Sequence, residues 1–236
     1  VAWELGTAAA AFFLAFGIYI VAGSILLAAA RGLYKHHNLL FNVVAYQILV
    51  LGVIASALSF VLVRFRAGPA VLGYRFPGWA PILKSVAVVP VTFIAIAVLY
   101  GIFSTLLPGY HLQGNARQEL VQNPHQHLSL GLKVVVLIWS AVEAPFTEET
   151  LFRGIIYQGL RDFSARKLPF PVAIGAGALV SGALFGLVHG EIRTFPILML
   201  LGVILALVFQ RWRSIYCSVV IHGIINAIAV FSVLSS

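Results

Sequence analysis

Charge is what this chain has least of. Asp and Glu together number 7 and Lys and Arg 15, so 9% of its 236 residues are charged while 61% are hydrophobic. A soluble globular domain carries about a quarter charged residues, and a mean hydropathy of +1.01 fits instead a protein that crosses a membrane several times. The net charge of +8 is no sign of a nucleic-acid partner. The basic residues are spread over short connections between apolar runs, which is how orientation in a bilayer is written. Cysteine is nearly absent as well. The single Cys217, set in an apolar run, implies neither a disulfide nor a thiolate metal site. Internal repeats, low-complexity stretches and the His-Glu-x-x-His spacing of zinc peptidases are also missing, and the lack of repeated halves argues against a small transporter.

What the chain does have is long apolar runs. They predict an all-α fold, a polytopic membrane protein built as a bundle of about seven transmembrane helices, at 3–30, 40–63, 81–107, 128–163, 172–189, 195–209 and 214–234. The first run has no basic residues before it and is too long for a signal-peptide core, so it reads as a spanning helix. The helices form one domain, 1–236, with three helices and a polar loop in 1–127 and the remaining four in 128–236. Leu72, Tyr74, Phe76 and Trp79 around Arg75 predict a short stretch lying in the membrane interface. Pro90 and Pro145 predict kinks, and the run at 195–209 is short for a full span. Small residues in the fifth run, among them Gly175, Gly177, Ser181, Gly182 and Gly186, predict close helix contact. Alternating the connections puts Arg64, Arg66, Arg75, Lys84, Arg161, Arg166, Lys167, Arg211 and Arg213 on one side and Arg31, Lys35, Arg117, Lys133 and Arg193 on the other. The richer side is expected to be cytoplasmic.

Against this background the stretch Ala144-Pro145-Phe146-Thr147-Glu148-Glu149-Thr150-Leu151-Phe152-Arg153 is anomalous. Each charged group at a helix centre costs about 2.5–3.5 kcal/mol on insertion scales. On a helix Glu149 and Arg153 are four apart with the acid first, the favourable order for a pair on one face. Glu148 lies about 100° further round and is left for other work. His189 ends the fifth run with Phe185 one turn before it, and His222 and Asn226 share a face of the seventh. A carboxylate in a low-dielectric pocket is poised as a general base. Glu148 and His189 are therefore suited to hold and deprotonate a water. His222 and Asn226 offer N–H donors to the oxyanion of a tetrahedral intermediate. The same His and Glu residues could bind zinc with water as a fourth ligand, but the spacing disfavours it, and no cofactor is expected. His111, His125 and His127 lie in a polar loop and read as solvated rather than metal-binding.

Glu148-Glu149-x-x-x-Arg153, Phe185-x-x-x-His189 and His222-x-x-x-Asn226, in this order on successive helices, resemble the three motifs of the CAAX-protease and bacteriocin-processing (CPBP, or Abi) family of intramembrane endopeptidases. The resemblance covers about residues 134–232. It implies that Glu148 is the catalytic base acting with His189 on water, that Glu149 and Arg153 belong to the first motif, and that His222 with Asn226 form the oxyanion site. The expected activity is hydrolysis of membrane-associated proteins or peptides, with prenylation of the substrate left open, in a multi-pass protein of a prokaryotic cell membrane. The rival reading is a silent relative acting by contact, as a bacteriocin-immunity factor or with partner subunits in a membrane complex.

Overall fold

The structure, a computed structural model, describes residues 63–110 and 130–234 together with residues 4, 6, 7, 9, 10, 17, 51, 52, 55, 56, 59 and 60. Most of the helix expected at 3–30, most of the one at 40–63, and the loop histidines His111, His125 and His127 lie outside the described residues. Among the described residues every regular element is helical. Four of these helices are long and apolar enough to cross a membrane, and the protein is a multi-pass membrane protein.

The expected helix at 81–107 is two helices, α1 (Trp79–Val86) and α2 (Val88–Leu106). Pro90 has no N–H to return to the Val86 carbonyl and its ring presses on that turn. The break therefore falls at Ala87, upstream of the proline rather than at it. Helix α3 fills 130–164 in five consecutive pieces. Leu130–Ile138, Ala144–Glu149 and Gln158–Ser164 are α-helical, while Trp139–Glu143 and Thr150–Tyr157 are π-helical. The chain stays helical through Pro145, and the wider π turn just before the proline absorbs its missing N–H in place of a break.

Helices α4 (Phe170–Val188), α5 (Phe195–Trp212) and α6 (Ile215–Leu234) complete the bundle. Helix α5 runs to Trp212, three residues beyond the end expected for it, and at 18 residues it is long enough to span. It lies close against α4. A Cβ on Gly182 would stand 2.7 Å from the Met199 carbonyl oxygen, and one on Gly202 would stand 2.7 Å from Gly182 Cα. Gly175, by contrast, faces open space. The close seam expected from the small residues is present, but Gly175 is not part of it.

The expected interfacial stretch is corrected in half. Pro69–Leu72 forms a 3₁₀ turn that sinks Leu72, 0% exposed, into the core beside Ile155, Leu205 and Ile221. Gly73, at φ +93°, turns the chain between the Phe209 ring and Ile215, and its carbonyl accepts the Ile215 N–H at 3.0 Å. Tyr74 also points inward. Thr150 Oγ1 spends its hydrogen on the Phe146 carbonyl at 2.6 Å, so the Tyr74 hydroxyl is the donor in its 2.5 Å bond to Thr150. Burial pushes the Tyr74 phenol above its ordinary pKa, which keeps that proton in place. Only Phe76 and Trp79, edge to face at 5.2 Å, remain turned outward.

Candidate active site

The site is built on the junction of the two middle pieces of α3. Glu149 closes the Ala144–Glu149 piece, and Arg153 sits inside the second π segment, all eight residues of which are buried. Arg153 Nη1 lies 2.9 Å from Glu149 Oε1, with both side chains 0% exposed. The pair implied by the spacing is present and enclosed. Arg153 Nη2 donates to the Gly202 carbonyl of α5 at 3.3 Å, and the guanidinium stands 4.8 Å from the Phe185 ring centre on α4. One buried cation thus ties three helices together, and its desolvation is offset by a carboxylate, a carbonyl and an aromatic face.

Glu149 is not spent on Arg153 alone. His222 Nδ1 lies 3.0 Å from the same Oε1. A carboxylate held by a guanidinium accepts, so His222 donates from Nδ1, and its Nε2 is left facing Glu148 Oε2 at 3.7 Å. Glu148 is the more open acid, its side chain 29% exposed, and among the described residues its Oε2 is buried without a hydrogen bond. The two adjacent glutamates thus address the two nitrogens of one imidazole.

His189 caps the end of α4, where its Nδ1 meets the Phe185 carbonyl at 2.7 Å. A carbonyl only accepts, so Nδ1 carries the proton and Nε2 presents a lone pair in the neutral ring. The Phe185 ring stands between the two histidines, 4.8 Å from the His189 ring centre and 5.7 Å from that of His222. His189 is exposed at the helix end, whereas His222 is buried. Glu148, Glu149, Arg153 and His222 form one contiguous cluster, with His189 joined to it through Phe185.

Asn226 faces a partner that spacing could not supply. In the first π segment the Ala144 N–H goes to the Trp139 carbonyl. The next residue, Pro145, has no N–H, so the Ser140 carbonyl has no helical donor. Asn226 Nδ2 fills that vacancy at 3.0 Å, and among the described residues the second amide hydrogen of the same nitrogen has no acceptor. Gly223, between His222 and Asn226, lets α6 come down onto the Ala141 carbonyl, where any side chain would collide. Ser140, Gly202 and Gly223 carry no chemistry-bearing side chain for the site and left no motif to find. Pro145 was the one available signal, because a proline strips a donor from a carbonyl one turn before it.

The Nδ1 atoms of both histidines are engaged with protein acceptors, which leaves Nε2 as the nitrogen that each ring presents.

Residues 130–228 match the family described as type II CAAX prenyl endopeptidase Rce1-like. The chain is also 26% identical over 114 residues to the membrane-embedded CAAX protease MroQ of Staphylococcus aureus (strain USA300), an alignment covering 48% of this chain and 45% of that protein. It therefore spans less than half the length of the curated relative it matches. No solved structure matches the chain.

Proposed function

We propose that this chain, whose residues 130–228 match the type II CAAX prenyl endopeptidase Rce1-like family, is an endopeptidase of the CAAX-protease (CPBP) kind that hydrolyses peptide bonds of membrane-associated proteins or peptides with water activated by Glu148. The observation that carries this reading is the Glu148–His222–Glu149–Arg153 cluster, in which Glu149 is neutralised and buried while Glu148 is half open with an unspent oxygen. A scaffold has no use for such an arrangement, which makes the silent-relative reading the weaker one.

In the proposed reaction a water donates one hydrogen to the Glu148 carboxylate and the other to His189 Nε2, whose lone pair is fixed by the Nδ1–H bond to Phe185. The water's own lone pair is then free to attack the scissile carbonyl carbon. Glu148 removes the proton as the C–O bond forms, and passes it to the leaving amine nitrogen as the C–N bond breaks. The oxyanion takes the second N–H of Asn226, the first being held by Ser140. With Nδ1 spent on Glu149, His222 contributes through Nε2, which faces Glu148. No step is routed through a metal.

Purified protein reconstituted in liposomes with a panel of membrane-anchored peptides, prenylated and not, tests the proposal. Cleavage of any of them by wild type and none by Glu148→Gln is the expected result. Equal cleavage by both proteins would overturn the assignment of Glu148.

A further inference from the structure

A second polar site lies at the opposite end of α5 from the Gly190–Arg193 connection. A pocket there is lined by Ala70, Val71, Gly73, Arg75, Gln158, Phe209 and Arg213. It has two guanidinium groups and, among the described residues, neither has a carboxylate within ion-pair distance. Arg161, the neighbouring arginine at this end, differs. It is held by Asp162 at 2.6 Å and by Gln210 at 2.9 Å.

The two free arginines are nonetheless positioned. Arg75 Nε donates to the Arg213 carbonyl at 2.9 Å and its Nη2 to the Trp212 carbonyl at 3.3 Å, which caps α5. Arg213 sits in the left-handed region at φ +52°, a conformation that costs energy for a residue with a Cβ. Its Nη2 donates to Gln158 Oε1 at 3.2 Å. Gln158, 3% exposed, is itself anchored by its amide to the Val71 and Gly154 carbonyls at 2.9 and 2.8 Å. Capping the helix consumes only part of the donors of Arg75, and Gln158 takes only one of those of Arg213. The remainder border the pocket.

From this geometry we infer that the pocket binds a phosphate group, supplied by the headgroup of an anionic phospholipid. Fork-shaped guanidinium donors match phosphate oxygens in pairs. The pocket lies in the connections between membrane-spanning helices, at the end that gathers Arg161, Arg166, Lys167 and Arg211, where basic pockets meet lipid headgroups. A phosphate there offsets both charges at once and holds the 69–75 segment, which Arg75 carries, against the end of α5.

The test uses the full chain purified in a mild zwitterionic detergent, with native mass spectrometry to count retained lipid and thermal melting to follow stability. Phosphatidylglycerol is compared with phosphatidylcholine and with inorganic phosphate. The expected result is one tightly retained phosphatidylglycerol and a rise in melting temperature that phosphatidylcholine and inorganic phosphate do not give. Retention should fall about fivefold in Arg75→Gln, whose side chain is exposed and whose loss leaves the core intact, and again in Arg213→Asn, which suits the left-handed backbone. Arg166→Gln, exposed and outside the pocket, should bind as wild type does. Equal retention by the Arg75, Arg213 and Arg166 variants would overturn the site. Protection by inorganic phosphate equal to that by phosphatidylglycerol would overturn the lipid assignment, as would protection only by a peptide with a free C-terminal carboxylate.

Discussion

Glu149 and His222, 73 residues apart, are joined by a 3.0 Å hydrogen bond to the same carboxylate oxygen that holds Arg153. This one atom organises the site. It neutralises the buried guanidinium, fixes the orientation of the imidazole on α6, and turns the other nitrogen of that ring toward Glu148. A glutamate with two partners already in place is poorly suited to accept a proton from water, which supports Glu148 as the reactive acid.

Glu148→Gln should lower the cleavage rate by about 10²–10⁴-fold or more, the range that a general base contributes, with the melting temperature unchanged. A parallel loss of melting temperature would show a structural acid instead of a reactive one.

Glu149→Gln should behave in the opposite sense. It leaves Arg153 buried without its anion, a change that costs about 3–5 kcal/mol, so the melting temperature and activity should fall together. Replacing Arg153 by Met in the same chain should recover part of the stability but not the activity. A double variant no more stable than Glu149→Gln alone would mean that the pair is not coupled.

Asn226→Ala should destabilise the protein by about 1–3 kcal/mol through the Ser140 carbonyl left without a donor, in addition to slowing cleavage. Asn226→Ser probes the two effects separately. Unchanged stability in both variants would indicate that the Ser140 contact contributes nothing.

Gly182→Ala and Gly175→Ala form a matched pair on α4. The first places a Cβ 2.7 Å from the Met199 backbone and should cost about 1–3 kcal/mol through overpacking. The second meets open space and should be neutral or slightly stabilising, since Ala is the better helix former. Equal melting temperatures would contradict the close α4–α5 seam.

Metal removal provides a further check. Cleavage should survive prolonged treatment with chelator, and elemental analysis should find no stoichiometric zinc. Activity lost to chelator and restored by zinc would require a different mechanism.

The amino-acid sequence by itself determined what is local. Apolar runs of spanning length specify helices, and four-residue spacing on a helix puts Glu149 beside Arg153, Phe185 beside His189 and His222 beside Asn226. These relations depend on spacing along a helix rather than on how the helices pack, and the Glu149–Arg153 pair survives even though Arg153 lies in a π segment. Only the tertiary structure decided which faces meet. It joined His222 to Glu149, gave Asn226 the Ser140 carbonyl, and drew Leu72 and Tyr74 from an expected interfacial position into the core. The physical reason is that a membrane chain lacks the contrast that reveals packing in a soluble one. Lipid-facing and core-facing positions are both apolar, so helix α4, with Leu179 exposed and Phe185 buried, shows no polar stripe to say which side turns inward. The π segments added a second obstacle, since they shift the register of α3 around Pro145 by an amount that residue spacing alone does not reveal.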